Sequence, residues 1–215
     1  MNKISDSQSQ YWDRVAGTKT FTHPIDLELM ENYVQKDSLI VDYGCGYGRL
    51  VAVLNNIGYT KVKGYDTSLE LIKCGITSGV VNLNHIVNPS AMLEVDNSID
   101  CLILFAVLTC IPNNQAQEKL MEVLYLKLKP GGIIYVSDYY LQSHSVEVKQ
   151  YQCLNDDQEN YGVFTLPEGA TFRHHPRAWI MKLLADFQIE MEMNIEVSTM
   201  NGNRGEAFQL IARKL

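Results

Sequence analysis

The sequence predicts an α/β fold: a parallel sheet with helices on both faces, closed by an antiparallel pair of strands. Three observations carry this. Apolar runs of strand length alternate with helix-like segments five times between residues 38 and 140. Most of these runs are apolar throughout rather than at every second residue, as strands covered on both faces are. Near the end the alternation stops, and two extended segments meet across Asn201-Gly202, a hairpin-type dipeptide.

The elements follow in order. Residues 10–36 read as short helical pieces broken at Gly17 to Pro24 by the loop FTHP, after which Ile25, Leu27, Leu29, Met30 and Val34 form a helical face. SLIVDYG, 38–44, is a buried strand with a hard stop, and GRLVAVLNNIGY, 48–59, is the helix after it. KVKGYD, 61–66, is a second strand ending in an acid; LELIKCGI, 69–76, is a helix; NHIVN, 84–88, is a weak third strand. SIDCLILFAV, 98–107, is a strong fourth strand. NNQAQEKLMEVLYLKLKPGG, 113–132, is an amphipathic helix closed by Pro130, Gly131 and Gly132, and IIYVSDYY, 133–140, is the fifth strand. Pro176 to Phe187 is a helix, and 189–199 and 207–215 are the terminal strands. Between the fifth strand and that helix, 139–175 is irregular and too long for an ordinary connection, which marks it as functional. It follows a strand whose carboxyl end is where open α/β sheets bind ligands.

Bulk properties narrow the function. The chain has 215 residues and a formal net charge of −7, which disfavours a phosphate-backbone binder and so a nucleic-acid partner. No apolar run has the roughly 18 residues of a membrane helix, and the polar opening MNKISDSQSQYW lacks the apolar core of an export signal. The five cysteines, Cys45, Cys74, Cys101, Cys110 and Cys153, are scattered and form no C-x-x-C pair. A reducing, cytoplasmic setting without a metal site is the expectation.

The chemistry concentrates in LIVDYGCGYGRL, 39–50. Strand, glycine-rich turn and helix start make a nucleotide-binding device. Gly44 and Gly46 fit the first two positions of the dinucleotide pattern G-x-G-x-x-G, but Arg49 stands at the last, and no G-K-[ST] follows. The stretch Val41-Asp42-Tyr43-Gly44-Cys45-Gly46-Tyr47-Gly48 instead resembles motif I of the class I S-adenosylmethionine-dependent methyltransferases. Asp66 at the end of the second strand, Asn97-Ser98-Ile99-Asp100 before the fourth, and Leu128-Lys129-Pro130-Gly131-Gly132 before the fifth match further family features at the right distances.

That resemblance implies a Rossmann-like, seven-stranded, mostly parallel sheet with an antiparallel C-terminal hairpin, capped by residues 1–36 and 139–175. The whole chain would form one domain. It implies S-adenosylmethionine as cofactor. Gly44, Cys45, Gly46 and Gly48 would pass close to its amino-acid end, Asp42 would orient its amino group, Asp66 would receive its ribose hydroxyls, and Thr67 would also touch the cofactor. Phe105 and Ser90 would complete the site. Many relatives place an acid near the adenine amino group; here Asn88 or Ser90 stands in its place. Cys45 reads as a packing residue, not a nucleophile. Tyr11 either anchors the N-terminal helix or, as in many relatives, lies over the cofactor.

The cap carries the remaining candidates. His174, His175, Tyr161 and Tyr140 are the candidate catalytic groups, and Tyr139, Arg173 and Asn201 the candidate substrate contacts; each also reads as loop or packing chemistry. The expected reaction is methyl transfer to a small-molecule acceptor by in-line displacement. Two rivals stay open: cyclisation of the cofactor itself to azetidine-2-carboxylate with release of methylthioadenosine, and cofactor binding without catalysis.

Overall fold

The computed structural model describes residues 6–143, 151, 161–200 and 202–215. Two helices, α1 (Asp6–Val15) and α2 (Leu27–Tyr33), precede the sheet. Then come β1 (Leu39–Tyr43), α3 (Arg49–Asn56), β2 (Lys61–Asp66), α4 (Leu69–Thr77), β3 (Leu83–His85), β4 (Ile99–Phe105), α5 (Asn114–Lys127) and β5 (Leu128–Tyr139). A small hairpin, β6 (Val163–Thr165) and β7 (Thr171–Arg173), is followed by α6 (Arg177–Leu183), β8 (Phe187–Ser198) and β9 (Arg204–Lys214).

The strand order is β3-β2-β1-β4-β5-β9-β8, seven strands in one sheet. The first five run parallel, and β9 is antiparallel to its neighbours β5 and β8. The apolar runs explain the layers. Ile40 of β1 and Cys101 of β4 enter the layer shared with α2 and α3, while Val41 and Leu102 enter the layer shared with α5 and α6. Both faces are thereby covered, as a parallel sheet requires. Side-chain caps fix three helix starts: Asp26 accepts from Leu29 N, Ser68 from Leu71 N, and Asn113 from Ala116 N. Successive strands are added on one side of β1 up to β3 and on the other from β4, and the carboxyl ends on either side of that switch open a crevice.

Several boundaries differ from the sequence expectation, each for a physical reason. Leu128 already pairs with Ile99, so α5 ends at Lys127; the next pair is Cys101 with Ile133, and Lys129 to Gly132 loop out of register between them. The third strand is only Leu83–His85. Phe187 opens β8, paired with Lys214, instead of closing α6. The stretch 139–175 includes the β6–β7 hairpin, and its Tyr151, Phe164, Ala170 and Phe172 form a small core of their own with Tyr11 of α1. No helix among the described residues is long and apolar enough to cross a membrane.

Candidate active site

The glycine loop leaves β1 with three left-handed residues in alternate positions: φ is 74° at Gly44, 57° at Gly46 and 79° at Gly48. A side chain at each would be strained and would also strike the protein. A Cβ on Gly44 would overlap Val107, one on Gly46 the Phe21 ring, and one on Gly48 Leu83. The glycines therefore serve first to let the segment after β4, the N-terminal loop and β3 close on the turn. Phe21 lies stacked on Tyr47 at 4.9 Å. Tyr65 O accepts from Gly44 N and Cys45 N at 2.7 and 3.1 Å, which fixes the loop's exit. The Cys45 sulfur packs where a Cβ on Gly64 would fall, and burial pushes its thiol up.

Two acids flank the loop. Asp66 Oδ2 accepts from Gly46 N at 2.7 Å and Oδ1 from Ser68 N at 2.8 Å. Burial pushes its carboxyl up, against the pull of those N–H donors. Asp42 is 2% exposed, and its Oδ2 has no hydrogen-bond partner among the described residues. Burial raises its pKa to about 8; Arg49 opposes the shift and Asp66 adds to it. Arg49, at the start of α3, donates to His23 O, while its Nε is buried without a partner among the described residues.

These groups line a cleft of about 1550 Å³ outside the carboxyl ends of β1, β2, β4 and β5. Of the residues expected to bind cofactor, Asp42, Gly44, Cys45, Asp66, Thr67, Ser90 and Phe105 lie on its wall, whereas Gly46 and Gly48 stand behind it. Tyr139 and His174 face it from the cap side. His174 Nδ1 meets the Tyr151 hydroxyl, and burial holds its pKa down to about 3.

Other expected residues stand elsewhere. Strand alternation sends Tyr140 to the face opposite Tyr139: its hydroxyl donates to Glu192 at 2.6 Å and its ring stacks on Phe208. His175 is fully buried off the cleft, its Nε2 at 2.9 Å from Gln117 Nε2 and its Nδ1 at 3.3 Å from Tyr139 O. Arg173 is buried behind the wall, donating to Pro112 O and to Asn114 Oδ1, 5.2 Å over Trp179. Tyr161 packs edge-on against Tyr151. Tyr11 is buried in the cap core, and its neighbour Trp12 faces the cleft in its place. Asn201 lies outside the described residues.

The sequence did not single out Phe21, His23 or Arg49 as site residues, yet all three line the cleft. His23 is 4% exposed. Its Nδ1 lies 3.0 Å from Ser137 Oγ, its ring is edge-on to Tyr139 at 4.7 Å, and its Nε2 has no partner among the described residues. An unpaired buried nitrogen costs roughly 1–3 kcal/mol. The available signal was compositional: an aromatic and a histidine packed into FTHP, between two helices.

Comparison with known proteins agrees with this geometry. A family model described as a methyltransferase domain matches residues 26–174. The solved structure of a SAM-dependent methyltransferase from Methanosarcina mazei superposes with a TM-score of 0.79 at 26% identity, covering 87% of this chain and 97% of that one. Geranyl diphosphate C-methyltransferase from Streptomyces coelicolor A3(2) superposes with a TM-score of 0.69 over 100% of this chain and 99% of its own; at 11% identity this is a likeness of fold. A curated protein of Dictyostelium discoideum, O-methyltransferase 3, is 29% identical over 126 residues, which span 54% of this chain and 29% of that protein.

Proposed function

Since the chain belongs to the methyltransferase domain family and uses S-adenosylmethionine, we propose that it transfers the cofactor's methyl group to an oxygen of a small-molecule acceptor held in the same cleft. The observation that carries this is the size of the cleft, about 1550 Å³. Sites for one drug-sized ligand occupy about 300–1000 Å³. Space therefore remains for an acceptor beside the cofactor, and cyclisation of the cofactor alone would not need it. Oxygen as the accepting atom is suggested by the name of the Dictyostelium discoideum relative.

The residues fit the cofactor. Asp42 Oδ2 is a buried acceptor and Arg49 Nε a buried donor, neither paired among the described residues. Lying on the same cleft, they match the amino and carboxylate groups of an amino acid. Asp66 would take the vicinal hydroxyls of a ribose through charge-assisted bonds. Bound there, S-adenosylmethionine supplies an electrophilic methyl on a positively charged sulfur. Aromatic rings also line the cleft: Trp12, Phe21, Tyr139, Phe164, Phe172 and His174. Ring faces attract cations and accommodate a flat or apolar acceptor. Holding acceptor and methyl in line supplies much of the rate in such a displacement.

The test incubates the purified chain with S-adenosylmethionine and a panel of phenols and alcohols, followed by chromatography. S-adenosylhomocysteine that forms only when an acceptor is present supports the proposal. Methylthioadenosine that accumulates with no acceptor overturns it.

A further inference from the structure

The loop FTHP also places a histidine on the cleft wall. Three contacts hold His23. Its Nδ1 lies 3.0 Å from Ser137 Oγ, its carbonyl accepts from Arg49, and its ring stands edge-on to Tyr139. Ser137 pairs with Phe105 across β5 and β4, and its carbonyl accepts from Ala106 N at 2.7 Å. The ring is thereby anchored at the carboxyl ends of these two neighbouring strands. The Nε2 at its tip is buried without a partner among the described residues.

We infer that His23 is the proton acceptor of the methyl transfer, its Nε2 receiving the hydroxyl proton of the acceptor. The inference rests on the methyl-transfer reading above. The acceptor's oxygen–hydrogen bond breaks, and the electron pair stays on oxygen. Oxygen bonds to the methyl carbon as the carbon–sulfur bond breaks, its pair going to sulfur. The proton ends on Nε2. One positive charge is present before the step, on sulfur, and one after it, on the imidazole.

Other histidines of the cleft region are less suited. His174 has its Nδ1 engaged by Tyr151, His175 lies off the wall with both ring nitrogens engaged, and His85 is exposed on β3 at the sheet edge. The electrostatics keep the His23 ring neutral before the step. The groups around it are Arg49 from α3, Tyr139 from β5, and, on the same cleft, Asp42 from β1 and Asp66 from β2. Burial and then Arg49 hold the ring's pKa down to about 4, so it is neutral at physiological pH and ready to accept. A sulfonium on the cleft adds a like charge that lowers it further. Loss of the methyl removes that charge, so the ring becomes more basic as the proton arrives.

The test is nitrogen NMR of the histidine rings in the full chain, titrated with pH, once saturated with S-adenosylmethionine and once with S-adenosylhomocysteine. Sequential assignment, checked with His23→Gln, identifies the signals. The expected result is a neutral ring with its proton on Nδ1 in both complexes, and a protonation midpoint about one unit higher with S-adenosylhomocysteine. Equal midpoints, or a neutral ring carrying its proton on Nε2, would overturn the inference. If calorimetry finds that neither compound binds, the methyl-transfer reading itself fails and takes the inference with it.

Discussion

Asp42 and Asp66 stand on neighbouring strands, yet their surroundings give them different work. Asp66 already holds two backbone donors, Gly46 N and Ser68 N. Asp66→Ala should therefore weaken S-adenosylmethionine binding by about 2–3 kcal/mol and also lower the stability of the free protein by about 1–2 kcal/mol; calorimetry and thermal melting separate the two losses. Asp42 differs because its Oδ2 has no partner among the described residues and its pKa is raised to about 8. An acid whose folded pKa lies above its unfolded value binds more protons folded than unfolded between the two. Its contribution to stability is thus greatest below about pH 4 and is lost as pH rises towards 8. Meeting a cationic amino group requires the ionised form, so S-adenosylmethionine should bind more tightly as pH rises towards 8, with release of a proton. Calorimetry in buffers of different ionisation enthalpy reads that proton directly. Asp42→Asn should remove both the proton and the pH slope, and a wild-type protein that binds with no proton exchange contradicts this role.

Among the elements, the glycine loop is where sequence and structure can be compared most closely. Gly46 has φ 57° and lies against Phe21. Gly46→Val should abolish cofactor binding by driving Phe21 off the loop, with little effect expected from Cys45→Ser. Gly46→Ala should be partly rescued by Phe21→Ala, because the overlap goes while the left-handed strain of about 1–2 kcal/mol stays. Melting and calorimetry on the single and double variants make the comparison, and an absence of any rescue would show that Phe21 is not the obstacle. The loop was legible in advance because alternate glycines after an apolar strand have few other uses. The cap was less so. Which of Tyr139 and Tyr140, or of His174 and His175, faces the cleft depends on strand parity, and an irregular segment does not set parity in its sequence. Arg173 illustrates the cost: its type suggested a ligand contact, but its donors secure Pro112 and Asn114. Arg173→Ala should lower stability by about 2–3 kcal/mol and disturb turnover only through that loop. A variant of unchanged melting temperature but raised KM would return Arg173 to the substrate.

At the scale of the whole molecule, the order β3-β2-β1-β4-β5-β9-β8 decides where chemistry can happen. Alternating apolar strands and helices made that sheet legible, and the Asn201-Gly202 dipeptide marked the reversal at its end. The family resemblance implies residues 1–36 as a cap, but which residues of 17–24 would reach the cleft was not legible, because a loop without periodicity carries no record of what it will cover. That loop sets Phe21 and His23 on the same cleft as Asp42 and Asp66. The central claim is that this cleft holds S-adenosylmethionine and a separate acceptor. Its most direct test supplies the purified chain with S-adenosylmethionine carrying a carbon-13 methyl group, together with a small-molecule extract, and follows the label by mass spectrometry. The predicted result is label in a new methyl ether, formed one for one with S-adenosylhomocysteine. Label retained in methylthioadenosine, formed equally well without extract, would contradict it.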